Sequence, residues 1–533
     1  MRRLAAYLVS LLALSACHFL DVEMKDNTPV GDFYRTQAEM ESALRGVYAV
    51  MSEQQLYGDV LLCRMGLTAD LGYENYTSDR GTVGYYQVRA SDYKVKNYWL
   101  TLYKGIARAN QILDYIDKPR MSDEDRNAIK GEALFLRAWY HYLLAVRFGA
   151  IPLVLTSADP EKLEALQVPR DPLDVVYAQI FADMREAADL VRDASAIGHG
   201  GRVSKSVVWG IMARVCLQAG GYPLRAPGMN ALARDYAKKV IDLGFHELNP
   251  SYQDVFINLI QDRYDVKECL WEVEFYGNNV GAYNKAAGMV GRNNGISYTG
   301  TNPSIGISAG MLRPTGTYYK MFNKADLRRD WTISPYQYRS DGSKNDRSKA
   351  SDKWSYFCGK FRREYELSEY KHVSSYSGIN FPLLRYSDVL LMFAEAVAAD
   401  PNNDDAADFT LALECLNRVR RRGYGKPVTT PDASVDLAVS TKADLLAAVK
   451  TERALELGFE LLRKDDLVRW GEFLPTMKAT LEAIPASYTS TQHVSARLFY
   501  TNAEARDVLW PIPSTEISAD SLLEQNEGWN DAD

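Results

Sequence analysis

The sequence predicts a mostly α-helical protein: a scaffold of tetratricopeptide-like helix pairs with a long irregular loop-rich segment and few short strands. Apolar residues recur at the three-and-four spacing of one helix face in nine segments. Short turns such as 400–403 separate neighbouring segments, which favours paired helices, although no strict 34-residue repeat is visible. The nine segments cover residues 34–51, 92–116, 122–148, 172–191, 204–219, 230–243, 386–399, 406–421 and 442–459.

The helical segments carry their own boundary signals. In the segment 204–219, apolar residues follow Val208 at i+3, i+4 and i+7, which places them on one helix face. Ser122 and Ser204 stand at the start of their segments, where a hydroxyl can accept a hydrogen bond from the first turn. Gly220 and Gly221 close one helix. These signals predict where the scaffold helices begin and end.

The middle of the chain, 246–381, is different in kind. It is rich in Gly, Asn, Ser and Tyr, and only short runs such as 270–275 look like strands. Long loops on a rigid scaffold usually carry function, so we expect this segment to contribute to the binding region. The predicted organisation is therefore an N-terminal helical region at 31–245, the irregular segment at 246–385 and a C-terminal helical region at 386–533.

The first residues predict export. Arg2 and Arg3 precede a short apolar run at 4–14, which is too short to cross a bilayer, and Ser15 and Ala16 come directly before Cys17. Residues 14–17 look like the lipobox of bacterial lipoproteins. We therefore expect a signal peptide at 1–16, acyl chains on Cys17 and a lipidated tether at 17–30. An ordinary signal peptide with an incidental cysteine is the alternative.

Composition excludes some classes of function. The net charge of −7 gives no electrostatic case for nucleic-acid binding, and 47% hydrophobic with 25% charged residues is typical of a globular protein. The 34 tyrosines are many, and tyrosine suits wet binding surfaces. Beyond Cys17 there are five scattered cysteines with no pairing pattern, so we expect them to pack in the core.

The charged residues near the C-terminus predict a structural network instead of a catalytic pair. Carboxylates one helical turn apart share a face and leave no cleft for a substrate, and arginines at helical spacing keep them ionised. The six histidines show no metal-ligand spacing, and no nucleophile elbow or nucleotide-binding loop is present. We expect no catalytic residue, no metal and no cofactor. The residues assigned to the network are Arg385, Asp388, Glu395, Arg418, Glu452, Arg453, Glu456, Glu460, Arg463, Asp466 and Arg469.

Two tyrosine-rich segments are the candidate ligand site. Flat rings interleaved with amide and charged side chains can stack on sugar faces or peptide side chains. The alternative is that half or more of these rings pack against their own loops. The candidates are Tyr73, Asn75, Tyr76, Tyr85 and Tyr86 in the first segment, and Tyr276, Tyr283 and Tyr298 in the second.

An ordered set of motifs spanning nearly the whole chain resembles the SusD/RagB family of outer-membrane nutrient-binding lipoproteins of Bacteroidetes. One departure, in 460–466, leaves the arginine and aspartate of that motif in place. The motifs are YWLTLY at 98–103, GEALFLRA at 131–138, FGAIPLV at 148–154, LRYSDVLLMFAEA at 384–396, LNRVR at 416–420, the signature at 452–470 and LWPIP at 509–513.

The resemblance implies a function and a partner. Such proteins sit as a lid over a SusC-like, TonB-dependent barrel transporter, capture an oligosaccharide or peptide outside the cell, and deliver it into the barrel without chemistry. It also implies location in the outer membrane, held only by the N-terminal lipid and facing the cell exterior. Two alternatives stay open, namely a surface glycoside hydrolase and a structural or adhesive helical-repeat lipoprotein.

Overall fold

A computed structural model of the chain describes residues 33–157, 167–277, 287–367 and 376–529. The predicted signal peptide, the Cys17 anchor and Tyr283 lie outside the described residues. Helices dominate the described residues, as the sequence predicts, and the few strands are short. In the N-terminal half the helices are α1 (Gln37–Tyr48), α2 (Tyr93–Tyr115), α3 (Asp123–Phe148), α4 (Leu173–Leu190), α5 (Ala194–Ile197), α6 (Lys205–Gly220) and α7 (Met229–Asp242).

The irregular segment and the C-terminal half supply the remaining helices. They are α8 (Tyr252–Ile260), α9 (Val290–Asn294), α10 (Gly316–Met321), α11 (Arg328–Thr332), α12 (Tyr386–Ala399), α13 (Ala406–Gly423), α14 (Lys442–Leu457), α15 (Arg463–Arg469), α16 (Phe473–Glu482), α17 (Thr491–Asn502) and α18 (Ser514–Ala519). All nine predicted helical segments are confirmed within a few residues at each end. The sequence patterns missed the other nine helices of the described residues, of which α8, α16 and α17 are the longest, and also a π-helical stretch formed by Gln54–Gly58 and Val60–Gly66.

The predicted helix starts are confirmed in atomic detail. The side chain of Ser122 accepts a hydrogen bond from the backbone of Asp125, and that of Ser204 accepts one from Val207. Each cap satisfies a backbone N–H that the helix itself leaves without a partner.

Two helices form the centre of the scaffold. From Ala128 onward almost every residue of α3 is buried, and α12 is buried from Tyr386 to Ala398, so both are covered on all sides. The helix α3 packs against α2 and α4, and α12 packs against α7, α13 and α14. Gly105 lets α2 approach α3 closely, because a Cβ atom there would lie 2.5 Å from the ring of Tyr140. The five cysteines Cys63, Cys216, Cys269, Cys358 and Cys415 are buried with free thiols, as predicted.

The strands form short antiparallel pairs, of which β5–β6 is a local hairpin and the others join segments further apart in the sequence. They are β1 (Gly72–Glu74) with β3 (Leu312–Pro314), β2 (Cys269–Val273) with β8 (Phe381–Arg385), β4 (Ile333–Ser334) with β7 (Phe357–Cys358), and β5 (Tyr336–Tyr338) with β6 (Lys344–Asp346). In the first pair Tyr73 lies opposite Arg313. This pair joins the N-terminal tyrosine-rich loop to the irregular segment.

Among the described residues, no helix combines the length and the apolar character needed to span a bilayer.

Candidate functional site

Three tyrosines of the first candidate segment lie in the interior. Tyr73 and Tyr85 are fully buried and Tyr86 is 8% exposed. The hydroxyl of Tyr73 donates to the Trp354 carbonyl oxygen at 2.9 Å, and Tyr86 packs edge-on against Phe499. These rings fill an apolar cluster with α16 and α17, two helices that the sequence patterns did not show. The prediction that these three residues present open ring faces is therefore wrong.

In the second candidate segment, one tyrosine is buried and another is exposed. Tyr298 is 3% exposed, because its backbone pairs with Ser308 and its ring packs against Tyr338 with centroids 5.6 Å apart. The expectation of an open ring is wrong there too. Tyr276 is 38% exposed and remains a candidate.

Asn75 and Tyr76 remain at the surface of the first loop. Both are half-buried, and they follow β1 directly. The backbone N–H of Asn75 donates to the Met311 carbonyl oxygen at 2.8 Å, which fixes the loop, while its side-chain Oδ1 has no hydrogen-bond partner among the described residues. The guanidinium carbon of Arg64 lies 4.8 Å from the centroid of the Tyr76 ring. A cation therefore lies over one face of the Tyr76 ring and helps to hold the ring in place.

The short helix α9 brings Arg292 beside this loop. The helix is fixed on two sides, because the backbone N–H of Met311 donates to the Asn293 carbonyl oxygen at 2.7 Å and the Asn293 amide donates to Asp59 at 2.6 Å. Arg292 is half-buried, and its Nε and Nη1 atoms are shielded from solvent without a hydrogen-bond partner among the described residues. A rigid backbone therefore presents a guanidinium group that the fold leaves unsatisfied.

Arg64, Arg292 and Arg363, which we call the arginine cluster, lie close enough to affect one another. Burial, together with the charges of Arg363 and Arg64, lowers the pKa of Arg292, while Tyr76 and Asp59 oppose that shift. Because three guanidinium groups repel one another, each needs a carboxylate nearby to offset the cost of its burial.

Two further tyrosines lie on the β5–β6 hairpin beside the cluster. Tyr336 and Tyr338 point to the same side of β5, and both hydroxyls donate to the carboxylate of Glu364, which directly follows Arg363. The Lys344 Nζ atom lies 4.0 Å from the centroid of the Tyr336 ring. Both rings are half-buried and fixed in orientation. We call Asn75, Tyr76, Arg292, Tyr336 and Tyr338 the candidate face; the two hairpin tyrosines are linked to the arginine cluster through Glu364, the chain neighbour of Arg363.

A buried carboxyl lies behind the candidate face. Glu74 is fully buried, and burial together with the neighbouring Asp79 raises its pKa to about 8. Glu74 is therefore protonated and uncharged at neutral pH. The negative charge of Asp79 is balanced by other residues. Asp79 accepts from Lys94 at 2.8 Å and from Arg64 at 3.0 Å. The carboxylate of Asp79, in the loop below Tyr76, is thus paired within the protein.

The predicted ion-pair network is confirmed, and it is almost completely buried. Glu456 accepts from Arg385 at 2.9 Å and from Arg422 at 2.6 Å. Arg453 donates to Asp388 at 2.7 Å and to Asp466 at 2.9 Å. The remaining pairs include Arg328–Glu452, Arg385–Glu460, Lys360–Glu460, Arg385–Glu268, Arg214–Asp388 and Arg469–Glu395.

Two members of the predicted network behave differently. Arg463 reaches into the N-terminal half and pairs with Asp70 at 2.7 Å, just before β1. Arg418 forms no ion pair among the described residues, and its guanidinium carbon lies 5.9 Å from the centroid of the Tyr386 ring.

The comparisons with known proteins identify the family. A model described as the SusD family matches residues 267–529, and one described as "starch-binding associating with outer membrane" matches residues 18–217. The chain belongs to the SusD/RagB family. It is 24% identical to the SusD-like protein P2 of Formosa agariphila over 98% of this chain and 99% of the relative.

Solved structures of SusD-family proteins share the fold. A SusD homolog from Bacteroides thetaiotaomicron superposes with a TM-score of 0.83 at 25% identity, covering 94% of this chain and 99% of the homolog. The surface glycan-binding protein A from Bacteroides uniformis superposes with a TM-score of 0.67 at 21% identity, covering 92% of this chain and 99% of the other. The likeness extends over both halves and the irregular segment of the SusD fold.

Sequence reasoning missed part of the candidate face in this SusD-family chain. Arg292, Tyr336 and Tyr338 were not among the predicted site residues. Arg292 lies in a glycine-bounded run that reads simply as a loop, and the alternation of Tyr336 and Tyr338 on a short strand was the only signal for the hairpin pair. Neither pattern shows which side chains surround the three residues, because their partners are distant in sequence.

Proposed function

We propose that this protein captures an oligosaccharide at the cell surface, without chemistry, and delivers it to a SusC-like, TonB-dependent transporter in the outer membrane. In this proposal acyl chains on Cys17 hold the protein at the membrane, facing the cell exterior. The family model's description and the glycan-binding name of the B. uniformis protein support a carbohydrate ligand over a peptide.

The observation that carries the proposal is the candidate face. Tyr76 is braced by Arg64 on one side, and the Tyr336 and Tyr338 hydroxyls are anchored on Glu364. Fixed rings bind sugars well because little side-chain freedom is lost on binding. Polar groups near the rings, such as the Asn75 amide, can hydrogen-bond sugar hydroxyls.

Binding without chemistry is supported by how the carboxylates are used. The carboxylates of the family signature pair with arginines in the interior, so they are out of reach of a substrate. The alternative of a surface glycoside hydrolase is tested directly: incubation of the purified protein with each glycan it binds should release no reducing ends. Release that disappears when one buried carboxylate is replaced would establish the hydrolase instead.

Binding itself is tested by calorimetric titration of the purified protein with a panel of glycans and peptides. Tyr76→Ala should weaken binding of the glycan about fivefold or more, because stacking on an aromatic ring is worth about 1 kcal/mol. Tyr236→Ala is the matched control, since Tyr236 is also half-buried and lies under a cation, with Lys239 Nζ at 5.1 Å from its ring centroid, but is on α7. Equal affinities of the two variants would contradict the candidate face.

The partner and the anchor need cellular tests. The protein should copurify with a large outer-membrane barrel after detergent extraction, and Cys17→Ala should release it from the membrane fraction. A structural or adhesive lipoprotein would bind no soluble glycan saturably and would bring down no barrel.

A further inference from the structure

A second group of aromatic side chains, none of them part of the candidate face as defined above, lies at the surface. Tyr264 is 47% exposed and Tyr276 is 38% exposed, so solvent reaches a large part of both rings. The imidazole ring of His199 lies beside Tyr264, with ring centroids 5.5 Å apart. The Glu274 carboxylate lies 3.5 Å from His199 Nδ1, and the Glu274 side chain is 40% exposed. We call His199, Tyr264, Glu274 and Tyr276 the second aromatic surface.

The chain beyond β2 directs two of these side chains outward. Val273 and Phe275 are buried, whereas Glu274 and Tyr276 are exposed. Successive side chains of an extended chain point to opposite sides, so Glu274 and Tyr276 share the outer side. The Phe275 backbone N–H donates to Asn380 Oδ1 at 2.8 Å, which holds this segment beside the start of β8. The carboxylate and the ring of Tyr276 are therefore neighbours on a backbone that is fixed in place.

Two loops bring His199 and Tyr264 against the same segment. Gly201 lets the first loop approach closely, because a Cβ atom there would lie 2.3 Å from the carboxyl carbon of Glu274. In the second loop, partial burial and a hydrogen bond to Glu274 raise the pKa of Tyr264. The Tyr264 hydroxyl and the imidazole of His199 thus hold the Glu274 carboxylate between two rings.

These groups have the chemistry of a sugar-binding surface. A tyrosine ring combines a flat apolar face with a polar tip, which suits a sugar ring and its hydroxyls. A carboxylate accepts hydrogen bonds from several donors at once, and neighbouring sugar hydroxyls are such donors. Rings held by their neighbours lose little freedom on binding. Both tyrosine rings and the carboxylate are exposed to solvent, so a ligand in solution can reach them.

We propose that the second aromatic surface binds further sugar residues of the glycan chain that the candidate face captures, so that the natural ligand is a long chain held at two places. This inference rests on the proposed capture of oligosaccharides. Two weak contacts on one chain bind more tightly than either alone, because the second contact forms at a high effective concentration of ligand. A short glycan engages the candidate face only and gains nothing from the second surface.

The test compares a trisaccharide with a long glycan of the same linkage on the purified protein. The pairs are maltotriose with amylose, laminaritriose with laminarin, and xylotriose with xylan. Calorimetric titration measures the affinity for the trisaccharide, and retardation in a native gel that contains the long glycan measures the affinity for the latter. Each variant is compared with the original protein by the same method, on the pair that the original protein binds.

Tyr264→Ala should weaken binding of the long glycan about fivefold or more and leave the affinity for the trisaccharide unchanged. Tyr264→Phe keeps the ring and should retain most of the affinity for the long glycan. The control is Tyr93→Ala, which removes a ring that is 60% exposed on α2 and should change neither affinity. If Tyr264→Ala unfolds at a clearly lower temperature than Tyr93→Ala, Tyr276→Ala makes the same comparison at the neighbouring ring.

The two proposals fail in different ways. If Tyr264→Ala and Tyr276→Ala both leave binding of the long glycan unchanged, the second surface is overturned and glycan capture stands. Equal weakening of the trisaccharide and the long glycan also overturns it, because Tyr264 then belongs to the site that holds the short ligand. Absence of binding to every glycan overturns the capture proposal, and the inference with it.

Discussion

Glu456 is the most demanding test of the buried network. Its carboxylate is fully buried on α14 and accepts hydrogen bonds from Arg385 at 2.9 Å, Arg422 at 2.6 Å and Arg328 at 3.3 Å. Glu456→Gln keeps the shape of the side chain and removes its charge. The amide also replaces one carboxylate oxygen, an acceptor, by an NH2 donor that faces guanidinium donors. The three buried arginines therefore lose the negative charge that they share.

The expected loss follows from that geometry. Removing one partner of a buried ion pair costs about 3–5 kcal/mol, and we expect Glu456→Gln to lower the free energy of unfolding by about 4 kcal/mol. That is a large part of the roughly 5–15 kcal/mol that stabilises a typical domain. Urea unfolding at pH 7, followed by tryptophan fluorescence, measures it. The control Glu186→Gln breaks a surface pair with Lys130 of 2.6 Å and should cost less than about 1 kcal/mol.

The pH dependence of the free energy of unfolding tests the role of Glu456 a second time. Although burial raises the pKa of Glu456, Arg422, Arg385 and Arg328 lower it far below the ordinary value of 4.5. A depressed pKa stabilises the fold above pH 4.5, and this contribution is lost as the pH falls towards the folded-state pKa. The difference between the original protein and Glu456→Gln should therefore be constant near neutrality and shrink below pH 4.5. If Glu456→Gln were no more destabilising than Glu186→Gln, or if the difference grew in acid, the network would not stabilise the fold as argued.

Three further predictions concern the scaffold and the loops. Burial raises the pKa of Glu74 to about 8, so the stability that its protonated form contributes is lost as the pH rises from 4.5 through 8. The urea midpoint of Glu74→Gln should therefore fall less between pH 6 and 9 than that of the original protein. Tyr73→Phe should cost about 1 kcal/mol in urea unfolding, since it deletes one buried hydrogen bond, and leave glycan affinity unchanged in titration. Gly105→Ala should destabilise by about 1–3 kcal/mol through its clash with Tyr140, whereas Gly46→Ala, with open space around it, should gain up to about 1 kcal/mol.

The scaffold was predictable because its signals are local. Helix periodicity and capping hydroxyls depend on neighbours within one or two turns, and they located nine helices correctly. Of the missed helices, α8 (Tyr252–Ile260) carries both signals, because Ser251 accepts a hydrogen bond from the Asp254 backbone and the buried residues follow the three-and-four spacing; it is short and lies within the segment interpreted as irregular. In α17 (Thr491–Asn502), buried His493 and Ser495 share the inner face with apolar residues, so the apolar stripe is broken. The π-helical stretch has no sequence signature that periodicity can detect.

The candidate face was only partly predictable, because exposure is a tertiary property. Tyr73 and Tyr76 lie three residues apart in one loop, yet the first is buried and the second is half-buried. What separates them is α16 and α17, which cover the loop from the far end of the chain. The sequence places tyrosines in a loop that lies partly at the surface, but it could not say which ring a distant helix would cover.

The network and the candidate face are joined through Arg463. Its guanidinium donates to both carboxylate oxygens of Asp70, at 2.9 and 2.7 Å, and the backbone carbonyl of Asp70 accepts from the Thr315 hydroxyl at 2.9 Å. These contacts fix the entrance to β1 and its pairing with β3, and β1 leads directly into Asn75 and Tyr76. The C-terminal signature therefore does more than hold helices together: it fixes the loop that leads into the candidate face, nearly 400 residues earlier in the chain. Buried charged residues distant from the candidate face therefore help to determine where its loop lies.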